Sequence, residues 1–140
     1  MTRYWAFLSD PDGYHYETLF ARGRERWDGV HGVPAQFQLR QVSVGDLVLL
    51  YHTAPLKSVY GVGRVVRAPY ADASDEKGKR VVVDLEPVKK LPREVSLAEL
   101  KADAVCAGIR FVRMARCAVT PMEPAQWTAV LALAKQKAPK

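Results

Sequence analysis

The sequence predicts an α+β fold, a small mixed β pseudo-barrel of about five strands with helices flanking it at the connections. Short apolar runs of strand length are separated by helix-start signatures along the chain. Gly61 and Gly63 interrupt one of these runs, as glycines do at bulges and tight barrel corners. The 140 residues suit a single domain, 1–140, and no repeat or linker divides them.

The elements follow in order. Residues 3–8 (RYWAFL) are aromatic-rich, end before Asp10-Pro11 and read as a strand. Asp12 is placed to cap a short helix over 14–20. Residues 22–33 mix Gly23, Gly29 and Gly32 with Arg22, Arg24 and Arg26, which reads as a loop. Pro34 suits the first turn of a helix running to about Val42. Val44-Gly45-Asp46 is a turn before the buried strand 47–52 (LVLLYH). Residues 58–66 (SVYGVGRVV) and 80–88 (RVVVDLEPV) are further strands, with a polar loop over 71–79 between them. Ser96 and Glu99 make a capping box opening a helix to about Ala104. Residues 111–119 are expected to form the last strand. Thr120-Pro121-Met122-Glu123 then opens a helix to about Lys137.

Bulk properties narrow the function. The chain is 49% hydrophobic and 26% charged, an ordinary globular composition. A net charge of +6 and a pI near 9.5 favour a polyanionic partner such as nucleic acid. Cys106 and Cys117 form no C-x-x-C pair, which argues against a zinc ribbon or a redox motif and suits a reducing compartment. No apolar run approaches the roughly 20 residues that span a bilayer, and the first eight residues are too short for a signal peptide. The expectation is a cytoplasmic protein with no membrane partner. Enzyme signatures are missing: no Gly-rich phosphate loop, no G-x-S-x-G, no H-E-x-x-H and no deaminase H-x-E with C-x-x-C. His15, His31 and His52 are too scattered for a metal site, so neither cofactor nor metal is expected.

Four segments taken together resemble one family. Tyr4-Trp5 with Ser9-Asp10-Pro11 is similar to a YW-(L/I)-F…S-E-P opening. Trp27-Asp28-Gly29-Val30, Ala35, Leu39, Val44-Gly45-Asp46 and Tyr51-His52-Thr53 resemble W-x-G-V-R-N…A…L…G-D…Y-H-S. Gly61-Val62-Gly63, Val65, Tyr70 and Asp72 resemble G-(I/V)-x-x-V…Y-x-D. Residues 97–100 (LAEL), Phe111-Val112-Arg113, Arg116 and Pro121 resemble L-x-x-L-K and an R-L-S-V-x-P ending. The matches run in order through nearly the whole chain, and the family they resemble is the EVE domain, a PUA-like relative of the YTH domain. The chain departs from that pattern at His31-Gly32, where the family has Arg-Asn, in the loop after Asp72, which lacks the family's tryptophan, and at Arg116-Cys117-Ala118-Val119, where the family has R-L-S-V.

The resemblance implies a PUA-like barrel with no catalytic activity that reads a modified base, 5-methylcytosine or 5-hydroxymethylcytosine in DNA. It also implies a modification system or nuclease as an associated partner. Trp27, Tyr51, His52, Ser9, Asp10, Val30 and His31 are the expected base-pocket residues. A flat ring supplies stacking, a neutral imidazole can donate or accept, and a carboxylate can accept from the cytosine N4 amine. Arg22, Arg24 and Arg26 lead into Trp27 and, with Arg113 and Arg116, are the expected phosphate contacts. Two alternatives stay open: an RNA-binding PUA-like module for tRNA or a methylated adenine, and a small-molecule or nucleoside binder.

Overall fold

Two strands far apart in sequence set the architecture. In the computed structural model, which describes residues 3–10, 16–27, 33–72, 80–114 and 117–135, β1 (Tyr4–Ser9) pairs in parallel with β3 (Leu47–His52). A parallel pair needs a long crossover. Here it carries α1 (Tyr16–Arg22), the short β2 (Glu25–Trp27) and α2 (Val33–Leu39). The long strands β4 (Ser58–Ala71) and β5 (Val81–Ser96) follow as an antiparallel pair. Next come α3 (Leu97–Ala102), a 3-10 turn (Cys106–Gly108), α4 (Arg110–Arg113), β6 (Val119–Met122) and α5 (Pro124–Lys135). The six strands form one mixed sheet, in the order β2-β5-β4-β3-β1-β6.

Both faces of this sheet are buried, which is why β3 reads as an unbroken apolar run. Trp5 and Phe7 of β1 and Val48 and Leu50 of β3 face one core, shared with Tyr16, Leu19, Trp27 and Leu39. Ala6, Leu49 and Tyr51 point the other way, into a second core roofed by Phe111, Trp127 and Val130. Alternation along each strand divides the residues between the two cores.

The sheet closes through a helix. α2 packs against both β6 and β5, so it bridges toward the two ends of the strand order. On α2, Gln36 is buried and donates from Nε2 to the Val81 carbonyl at 3.1 Å. It also accepts the Val81 N–H at 2.9 Å. One side-chain amide thereby does for the start of β5 what a neighbouring strand would do. The result is a mixed α+β fold with helices flanking the sheet, as the sequence predicts.

The glycines of β4 bend it. A Cβ on Gly61 would lie 2.9 Å from the Lys89 carbonyl oxygen and 3.0 Å from Phe20. The register shifts between Val59 and Gly61, and again between Val62 and Gly63. These are the expected barrel-corner bulges.

Several sequence expectations change. The loop expected over 22–33 contains β2, whose pairing with Val83–Leu85 of β5 spans about sixty residues and leaves no local signal. The strand expected over 111–119 is instead α4 followed by β6. Successive residues Phe111 and Val112 are both buried, which a helical turn permits and a half-buried strand does not. Thr120-Pro121-Met122, expected to start a helix, is the body of β6. Proline is tolerated there because β6 is an edge strand. α5 begins at Pro124, where the Gln126 side chain accepts the Glu123 N–H at 2.9 Å. β5 also runs beyond Val88 to Ser96, and among the described residues the sheet has six strands rather than about five.

Candidate functional site

The C-terminal ends of the parallel pair bring two of the expected residues together. Ser9 of β1 lies opposite His52 of β3, and the Thr53 N–H donates to the Ser9 carbonyl at 2.9 Å. Asp10 follows at the exposed end of β1. Strand ends carry binding side chains well, because the rigid sheet positions them while the backbone turns outward.

His52 is fully buried and is held by α1. The Tyr16 backbone N–H donates to His52 Nε2 at 3.1 Å, so the neutral ring carries its proton on Nδ1. The Tyr16 hydroxyl donates to the Phe7 carbonyl at 2.8 Å. Its ring stacks on His52 (centroids 4.8 Å apart) and, at an interplanar angle of 12°, on Trp27 (5.5 Å). Phe7 lies 6.0 Å from Trp27. Beyond His52 the series continues to Tyr60 at 5.5 Å and from there to Phe20 at 6.0 Å. Lys90 lies over both of those last rings and is paired with Glu17 at 3.0 Å. The sequence gives Trp27 a free-standing place in a loop. It is instead the end of a strand, 7% exposed, with its ring fixed by Tyr16.

Tyr51 goes elsewhere. As the neighbour of His52 on a strand it points to the opposite face, where its ring tilts on Phe111 at 4.7 Å. Burial there raises its phenol above the ordinary range. It therefore shares no core with Trp27. Val30, His31 and Arg116 lie outside the described residues.

The arginines divide into two sets. Arg22 is ion-paired with Glu25 at 2.8 Å, and Arg24 with Asp84 at 2.9 Å. Arg26 is exposed on β2, with Asp84 as its cross-strand partner. Asp84 also accepts from the Tyr70 hydroxyl at 2.5 Å, and the Arg67 guanidinium lies 3.9 Å over the Tyr70 ring. Burial pushes the Asp84 carboxyl up, but the Tyr70 and Arg24 hydrogen bonds outweigh it and hold the group below its usual value. Arg113 is exposed on α4, and no acidic group pairs with it among the described residues.

Sequence reasoning missed Tyr16 and Tyr60, which join Trp27 to His52 and carry the series onward. Tyr16 falls in the helix expected over 14–20, but nothing local tells which helical face meets β3. Among the described residues no cluster of three His, Cys, Asp or Glu could hold a metal. None of the described helices is long and apolar enough to cross a membrane.

The EVE domain model matches residues 3–133. The fold is similar to that of Rpa0253 from Rhodopseudomonas palustris, 29% identical with a TM-score of 0.89, covering 95% of this chain and 93% of that one. A Pseudomonas putida protein is 32% identical with a TM-score of 0.84, covering 94% and 99%. Human THYN1, solved in complex with 5-methylcytosine containing DNA, is 22% identical with a TM-score of 0.88, covering 98% and 100%. No curated protein matches.

Proposed function

Because the chain belongs to the EVE domain family, we propose that it is a non-catalytic cytoplasmic domain that binds nucleic acid and takes a modified base into a pocket at the β1 and β3 ends. The mark is 5-methylcytosine or 5-hydroxymethylcytosine in DNA. The observation that carries this reading is the pairing of Ser9 with His52 next to the exposed Asp10, with His52 at one end of the buried stack Trp27–Tyr16–His52. The likeness to the DNA-bound human THYN1 supports it.

The energetics say what each part contributes. Flipping a base out of the duplex costs about a few kcal/mol. Stacking on an aromatic face returns roughly 1–3 kcal/mol, and needs a ring that does not reorient when the base arrives. Packing on Tyr16 and Phe7 fixes the Trp27 ring, which is 7% exposed. A methyl group against an apolar wall adds only about 0.8 kcal/mol. Recognition of cytosine itself must therefore come from hydrogen bonds. The Asp10 carboxylate accepting from the N4 amine is one such bond.

Fluorescence polarisation at one fixed salt concentration tests this. The oligonucleotides carry cytosine, 5-methylcytosine, 5-hydroxymethylcytosine or N6-methyladenine, each as duplex DNA and as single-stranded RNA. A tenfold preference for a modified cytosine over N6-methyladenine, about 1.4 kcal/mol, and about fourfold over unmodified cytosine for one methyl group are the expected outcomes. Asp10→Asn, at an exposed position, should weaken binding of all three cytosines relative to N6-methyladenine while leaving the fold intact. Equal binding of every base would sink the reading. A preference for the ribose form would move it to an RNA-binding module.

A further inference from the structure

Two clefts meet at one arginine, the first beside the Ser9 end of β1 and the second farther along β6 toward the start of α5. The first, about 360 Å³, runs between Pro34, Ala35 and Phe37 of α2 and Cys117 and Val119 at the start of β6. The second, about 420 Å³, lies between α4, β6 and the start of α5, and is lined by Arg113, Met114 and Gln126 among others. Arg110 lines both. From these features we infer that the two clefts form one groove holding the phosphodiester strand that runs on from the read base, with Arg110 and Arg113 on its phosphates.

Position is the first support. The Leu8 N–H donates to the Ala118 carbonyl at 2.9 Å, and Phe7 pairs with Val119. Cys117 therefore lies next to the end of β1 that carries Ser9 and Asp10. α2 begins at Val33, six residues after Trp27. The first cleft thus opens beside the end of β1 that carries Ser9.

Charge is the second. Arg3, Arg22, Arg24, Arg64 and Arg93 each have a carboxylate partner within the protein, as does Lys90. Among the described residues Arg110 and Arg113 have none, and both are exposed. Among the described residues that line the groove, the one acidic group is Glu123. Guanidinium groups left uncompensated in a concave site suit the oxygens of a phosphate.

Apolar surface is the third. Phe37 is 63% exposed and Met114 60% exposed, one in each cleft. A flat ring and a thioether offered beside cations are what the faces of unstacked bases accept, without sequence preference. The groove therefore fits a polynucleotide better than a free anion.

This inference rests on the preceding reading for the class of ligand, and the following experiment separates the two. Unmodified and 5-methylcytosine oligonucleotides of 6 and 20 nucleotides are titrated by fluorescence polarisation over a salt series. The proteins are wild type, Arg110→Ala/Arg113→Ala, Phe37→Ala and, as a control, Arg64→Ala, whose guanidinium is tied to Glu86. All four positions are exposed, so the fold is not at stake. The double variant should lower the slope of log K against log salt by about 1.5, at roughly 0.7–0.9 per phosphate contact. It should also abolish the extra affinity of the longer oligonucleotide while leaving the modified-to-unmodified ratio as in wild type. Phe37→Ala should weaken binding of the 20-mer more than that of the 6-mer, and Arg64→Ala should change neither property.

If wild type shows no modified-base preference but the double variant still flattens the salt slope, the base reading fails and the groove stands. If the double variant keeps the wild-type slope and length dependence, the groove assignment is wrong whichever base is preferred, and a protein segment becomes the occupant to seek. Absence of measurable binding to any oligonucleotide overturns both.

Discussion

At the scale of single residues, Asp46 does the most with one side chain. It is 1% exposed, and its two oxygens accept the Arg3 N–H at 3.1 Å, the Trp5 indole N–H at 2.9 Å and the Ser43 N–H at 2.9 Å. The Arg3 Nε lies 3.8 Å away. Three elements are tied by these bonds: the start of β1, the turn before β3, and the end of the segment after α2. Gly45 beside it has φ +93°, a conformation that favours glycine. Asp46→Asn keeps the shape but turns an amide NH2 toward N–H donors. The expected loss is about 2–3 kcal/mol of stability, in the range of a buried charged acceptor whose donors go unmet. Urea unfolding followed by tryptophan fluorescence checks it. A loss under about 0.5 kcal/mol, the size typical of neutral surface changes, would show that the carboxylate is not the organiser. The importance of Gly45-Asp46 is legible in the sequence as a turn. The burial of the acid is not, because its partners Arg3 and Trp5 lie more than forty residues away.

At the scale of elements, local signals translate into structure and distant ones do not. The capping box of α3 forms as the sequence predicts, with the Glu99 N–H donating to Ser96 Oγ and the Ser96 N–H to Glu99 Oε1. All its parts lie within four residues, so no other element had to be known. β3 and the bends of β4 are legible for the same reason: an apolar run and two glycines are local facts. β2 and β6 are not, since each exists only by pairing with a strand remote in the chain. The candidate site follows the same division. Ser9 and His52 are brought together because each ends a legible strand, whereas Tyr51, adjacent in sequence, is carried away by the strand's alternation. The capping box is also open to test. Ser96→Ala removes the acceptor for the Glu99 N–H and should cost about 1 kcal/mol. Ser96→Asp should restore most of that loss, because a carboxylate caps equally well. Thermal unfolding of the three proteins gives the comparison, and a wild-type midpoint for Ser96→Ala would remove the cap from the account of α3.

At the scale of the whole molecule, three carboxyl groups make stability depend on pH in one direction. Glu99 is held below its usual range chiefly by the Arg93 hydrogen bond, and Asp103 by the Cys106 backbone N–H. For Asp84 burial acts upward, yet the Tyr70 and Arg24 hydrogen bonds still bring the group down. A carboxyl whose folded-state value is lowered releases its proton more readily in the folded chain, so the unfolded chain binds more protons as the pH falls. The resulting stability is fully present above the ordinary carboxylate range, near pH 4, and is lost as the pH falls through the lower folded-state values. Neutral and mildly alkaline solution should leave these contributions unchanged. Asp84 joins β2, β4 and β5 through Arg24 and Tyr70, so its share should be separable. Asp84→Asn should be less stable than wild type at pH 7, and its stability should fall less steeply between about pH 5 and pH 2. The two curves should converge as the wild-type carboxylate takes up its proton. Urea midpoints at pH 2.5, 3.5, 5 and 7 trace both curves. Parallel curves would mean that the Asp84 network is not what ties the β2 edge to the rest of the sheet, and that edge ends at the Trp27 face of the proposed pocket.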